Sequence, residues 1–240
     1  SIFGNTTGLQ VASGISTFSD VSARNITGVA VTFSGTTTLS VDAVINSVTV
    51  GKGANSVAGN TVVGETALDA AVTGQNNTAI GYQSLSANTT GTQNTAVGGA
   101  SARANTTGSY NTAVGHGSLL ENTTGNNNTA LGDDALLTNT TASNNTAVGK
   151  NALYANTTGA NNVAVGSGAL DSNTTASENV AVGRSALQSN TTGANNTAIG
   201  DQALDQNTTA SNNTAVGNDA LLLNTTGADN VAIGAGALDA

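Results

Sequence analysis

The sequence predicts an all-β fold, a parallel β-solenoid (β-roll) of 17-residue coils, and three observations predict it. A pentapeptide opening on Asn returns at Asn60, Asn77, Asn94, Asn111, Asn128, Asn145, Asn162, Asn179, Asn196, Asn213 and Asn230, always 17 residues on. The 240 residues contain no Pro, whose missing N–H would interrupt a sheet running the length of a rod. Charged residues make up 8% and aromatic residues 2%, against roughly 25% charged in an ordinary soluble domain. This composition disfavours a single large core, and a thin core repeated many times best fits the Ala, Val, Leu and Ile that supply most of the apolar content.

Counted from its opening Asn, the unit reads N-T-A-V-G-x-x-A-L-x-x-N-T-T-G-x-N, and its Asn-Thr-Thr half recurs nine times from Asn88 to Asn224. Two-helix repeats need longer units and strong helix formers, whereas Asn, Thr and Gly dominate here. The segment Asn-Thr-Ala-Val is short, contains β-branched residues and is closed by Gly, which predicts a brief strand. One unit is then one coil, and coils stacked at about 4.8 Å make eleven of them a rod of roughly 50 Å.

Each position carries its own expectation. Position 2 is Thr or Val and position 4 is Val, Ile or Leu, as at Val97, Ile80 and Leu131. Strand alternation places these two on one face, expected to be the coil interior. Position 3 is Ala in ten of eleven coils, including Ala79, Ala113, Ala147 and Ala198, and is expected to form an outward column held small by close packing. Position 9 gives a Leu ladder running through Leu85, Leu119, Leu136, Leu153, Leu170, Leu187, Leu204 and Leu221, interrupted at Ala102. Gly at position 5, as in Gly81, Gly98, Gly115 and Gly132, marks a corner needing positive φ or close backbone approach. At position 15 Ala142, Ala176 and Ala210 replace Gly, so that corner does not require a left-handed residue. The repeated Asn residues predict ladders in which each amide bonds the next coil or its own turn.

All fifteen charged residues from 60 to 240 fall at positions 6, 7, 10, 11 or 17, the expected solvated corners. Residues 1–45 lack the 17-residue step but favour strands, as at Val29 to Phe33, and are expected to be another β-rich section of the same rod. Residues 46–59 read as a transitional coil, and residues 60–240 as the solenoid. With no Met in the chain, the numbering is expected to start within a longer or processed protein, and Ser1 does not open a signal peptide. Ala240 offers no cap, so the rod is expected to continue or stack end to end.

The motif Asn-Thr-Ala-Val-Gly, with the related Asn46-Ser47-Val48-Thr49-Val50-Gly51, resembles the Asn-Ser-Val-Ala-Ile-Gly coil of trimeric autotransporter adhesin heads. The longer unit, through Ala-Leu to Asn-Thr-Thr-Gly, resembles repeats in tail-fibre and other structural proteins of bacteriophages, notably cyanophages. The resemblance spans residues 46–240. It implies a homotrimeric structural fibre on a virion or cell surface, either a tail-fibre shaft that positions a host-recognition tip or, alternatively, a bacterial adhesin or self-assembled extracellular filament. A host-surface glycan or protein would then be met by regions outside this chain.

Other functions have little to build on. The net charge of −9 with five basic residues disfavours nucleic acid. No apolar run is long enough to insert in a membrane. His116, at variable position 6, is read as a solvated corner residue, with no fixed constellation for a catalytic triad. Asp133 and Asp134 could pair or bind a cation but recur in no other coil, and no cofactor or metal is expected. Asn88, Asn105, Asn122, Asn139 and Asn156 match the N-glycosylation pattern and are candidate glycan sites, with a structural role preferred. Ice binding ranks behind the fibre readings because the adjacent Thr of each Asn-Thr-Thr point to opposite faces of a strand. Tyr82, Tyr110 and Tyr154 occupy unrelated positions and read as surface residues.

Overall fold

The computed structural model describes residues 42–239. The expectation for residues 1–45 lies almost wholly outside them. Among the described residues thirteen strands form one sheet in chain order. The first two, β1 (Ala43–Ile45) and β2 (Val48–Gly51), are antiparallel to each other, and β2 is antiparallel to β3 (Thr61–Gly64). From β3 onward every pairing is parallel: β4 (Thr78–Ile80), β5 (Thr95–Val97), β6 (Thr112–Val114), β7 (Thr129–Leu131), β8 (Thr146–Val148), β9 (Val163–Val165), β10 (Val180–Val182), β11 (Thr197–Ile199), β12 (Thr214–Val216) and β13 (Val231–Ile233). Equivalent residues pair directly, Ala130 with Ala147 and Leu131 with Val148. The fold is an all-β parallel solenoid.

Four corners of positive φ bend each coil. Position 5 is Gly throughout, at φ 140° in Gly132, where an added Cβ would come within 2.5 Å of the Gly149 carbonyl oxygen. Position 9 is Leu in the left-handed region, as at Leu136 and Leu153, both φ 52°. Positions 7 and 17 are left-handed as well, for example Asp134 at 54° and Asn144 at 62°. Asn tolerates this conformation better than most residues, which explains its frequency at position 17. Position 15 has no left-handed φ and admits the buried Ala142, Ala176 and Ala210.

The core departs from the sequence expectation at the strand. Position 3, not positions 2 and 4, points inward: Ala79, Ala113, Ala147 and Ala198 are all 0% exposed. Strand after strand shows a buried central Ala flanked by half-buried or exposed neighbours. The interior is a stack of these Ala, the small residues of position 8 and the fully buried Leu ladder. The buried Leu side chains and two rows of buried amides share this interior with the position-3 residue, which is Ala in every coil but the first, where Val62 is buried. The expected outward Ala column is therefore a core column, and the outward face carries Thr or Val at position 2 and Val, Ile or Leu at position 4.

The segment expected to be a transitional coil begins instead with a hairpin. Asn46 and Ser47, at φ 49° and 68°, make a two-residue turn of the kind that matches strand twist. Both carboxylate oxygens of Asp42 accept backbone N–H bonds, from Lys52 at 2.7 Å and Gly53 at 2.6 Å, closing the open end of the hairpin, while the Ala54 N–H donates to the Leu68 carbonyl and Asn55 Nδ2 to the Val72 carbonyl of the first coil. Because β2 runs antiparallel to β3, it covers that edge of the parallel stack.

Candidate functional site

Two amide ladders run through the coils and meet at one carbonyl per coil. In the first, Asn145 Oδ1 accepts the backbone N–H of Asn162 at 2.9 Å, and Asn145 Nδ2 donates across the interior to the Gly159 carbonyl at 2.9 Å. In the second, Asn156 Nδ2 donates to Asn139 Oδ1 at 3.0 Å and to the same Gly159 carbonyl at 2.9 Å. Both lone pairs of the position-15 carbonyl are thus used, and each amide oxygen reaches a neighbouring coil. Asn77, Asn128, Asn162, Asn179, Asn196 and Asn213 sit in the first ladder at 0% exposure, and Asn94 and Asn111 at 1%. A third row is made by the position-13 Thr: Thr123 Oγ1, for instance, donates to the Thr140 carbonyl at 3.0 Å.

The second ladder overturns the glycan expectation for the folded chain. Asn88, Asn105, Asn122, Asn139 and Asn156 are 0% exposed and their Nδ2 atoms are committed to hydrogen bonds. A sugar on that nitrogen has no room.

Most charged side chains lie on the coil surface, with pairs between coils at position 6, but Asp205, expected to be solvated, is buried at 7% exposure. His116 Nδ1 is 3.5 Å from Asp133 Oδ1 and 3.9 Å from Asp134 Oδ1, and Lys150 Nζ is 3.6 Å from Asp133 Oδ2. His116, Asp133 and Asp134 have the atom types of a cation site, with ligand atoms within 4.8 Å of one another. The Lys150 ammonium already faces the central carboxylate, and the His side chain is 74% exposed, the geometry of a surface ion-pair network. Arg184 pairs with Asp201 at 2.9 Å in the same column.

A cleft of about 400 Å³ opens beside the hairpin, lined by Asp42, Ser47, Thr49, Glu65, Asp69 and neighbouring backbone. Two of its carboxylate oxygens are those of Asp42, already bonded to backbone N–H groups. Tyr82 and Tyr110, each 55% exposed, and Tyr154, 36% exposed, lie at unrelated positions of separate coils, so no aromatic platform forms among the described residues. Among the described residues no helix is long and apolar enough to cross a membrane.

The extended surface feature is the outward side of the sheet. Position 4 exposes a row of aliphatic side chains, with Val63 and Ile80 at 37%, Ile199 at 41% and Leu131 at 45%. Position 2 sets a row of Thr beside it, replaced by Val at Val163, Val180 and Val231. None of the charged residues from 60 to 240 falls on either row. Hydrophobicity alone would send these aliphatics inward; the signal that they face out is the fixed small size of position 3.

Comparison with protein-family models, curated proteins and solved structures finds no match to the chain. Its class, a β-solenoid repeat protein, rests on the geometry above.

Proposed function

We propose that the chain is a shaft segment of a structural fibre, a virion tail fibre that holds a recognition tip away from the particle. The observation that carries this reading is the uniformity of the stack. Eleven parallel strands follow one another without an insertion, and the amide, Thr and backbone hydrogen bonds tie successive coils on several sides. In such an array each coil gains its stability from its neighbours, so the unit can be repeated to set a length. Its solvent-facing positions, such as 6, 10 and 16, vary freely while its interior does not, as expected of a spacer whose geometry matters more than its surface chemistry. Several copies would run side by side, three in the arrangement that the resemblance implies.

The test is immuno-electron microscopy of the native source with antibodies against the folded repeats. Label along thin rods projecting from virions is the expected result. Label on rods at a bacterial surface would assign the shaft to an adhesin or extracellular filament, and label without rods would overturn the fibre reading.

A further inference from the structure

We infer that the outward sheet face of β3 to β13, with its rows of position-2 Thr or Val and position-4 Val, Ile or Leu, is the surface on which further copies of this chain pack. The face is independent of what the rod is attached to, though it rests on the fibre reading in taking another copy as the occupant.

Size comes first. Eleven strands at about 4.8 Å span roughly 50 Å, and three to five residues at about 3.3 Å each give a width of roughly 10–16 Å. The footprint of about 500–800 Å² per copy approaches the roughly 800 Å² per partner of a stable interface. Composition agrees, since interface centres are depleted in charge and the charged residues from 60 to 240 all lie off these two rows.

Periodicity selects the occupant. The face repeats at every coil along its whole length, so the surface that complements it must carry the same repeat over the same distance. A second copy supplies that repeat by construction. The alternative of a crystalline ligand such as ice would favour one uniform side chain per row. Here position 4 alternates among Val, Ile and Leu and position 2 exchanges Thr for Val in three coils, as interdigitating protein side chains tolerate.

The test is sedimentation of the full chain at micromolar concentration. The parent is expected to sediment as an oligomer. Replacing Val114, Val148 and Val182 together by Lys should weaken association by at least about tenfold. A Val→Thr set at the same three positions, which keeps strand propensity, should weaken it less while retaining the parent circular dichroism and melting. Lys at Thr107, Thr141 and Thr175, on exposed position 14, should leave the mass unchanged. A monomeric parent, or position-4 variants that keep the parent mass, would overturn the assignment; thermal hysteresis from a monomeric rod would give the face to ice instead. Failure of the fibre reading is separate, because it is decided by where antibodies label the source.

Discussion

Leu170 is fully buried in a left-handed backbone conformation, φ 52°, so the coil accepts backbone strain to place an isobutyl group at the centre of the stack. Leu170→Ala should cost about 2–5 kcal/mol, read as a lower urea midpoint, because its neighbours in the ladder cannot collapse into the space. Asp171, the next residue, behaves differently. Burial raises its carboxyl above the ordinary carboxylate range. With the folded pKa above the unfolded one, ionisation is harder in the folded state, so stability is greater below the unfolded pKa and is lost as pH rises through the folded pKa. Asp171→Asn should therefore leave melting unchanged near pH 3 and leave it unchanged or slightly raise it at pH 7. A fall at pH 7 comparable to that of Leu170→Ala would reverse the assignment of inward and outward sides. The Leu, Gly and Asn columns were legible in the sequence because fixed identity at fixed spacing survives any choice of face. Which side of the strand faces in was not. Alternation supplies two faces without naming them, and the larger aliphatics of position 4 outweighed the better clue, that an outward Ala such as Ala147 has no reason to stay small.

At the scale of the coil, two glycines separate conformation from space. Gly132, at φ 140° and under the next carbonyl, should not accept Ala: the backbone alone costs upward of about 1 kcal/mol, and the Cβ contact with Gly149 forces the strand to shift. An added Cβ at Gly125 also meets the next coil, at the Ala142 carbonyl oxygen, but the backbone there is not left-handed and already accommodates Ala at Ala142, Ala176 and Ala210, so Gly125→Ala should be much milder. Paired melting curves of the two variants make the comparison, and equal losses would contradict the corner geometry. Asn145→Ala removes the acceptor of the buried Asn162 N–H and one donor to the Gly159 carbonyl. The expected cost is about 1–3 kcal/mol, with faster amide exchange at Asn162. The hairpin of β1 and β2 was hidden in the sequence because Asn46 to Gly51 imitates a coil opening. The distinguishing feature is the Asn46-Ser47 pair, which favours a tight turn as readily as it starts a coil.

Over the whole molecule, the 17-residue step makes length and register separable. Removing residues 145–161 joins Asn144, at position 17, directly to Asn162, at position 1, and every column continues unbroken. The shortened chain should keep its strand content and melt cooperatively only slightly below the parent, since one of ten equivalent parallel contacts between coils is lost. Small-angle scattering should find the rod shorter by about 4.8 Å. Removing only 145–152 deletes less chain yet joins Asn144 to Leu153, so one coil loses its strand, its first-ladder Asn and its position-5 Gly together. Its neighbours then face a gap where Thr129 to Leu131 and Val163 to Val165 each paired with β8. That shorter deletion should split the melting transition into two, one for each side of the break. If instead the full-coil deletion were the more damaging of the pair, stability would depend on particular residues of that coil, and a stack of interchangeable units would be the wrong description of the rod.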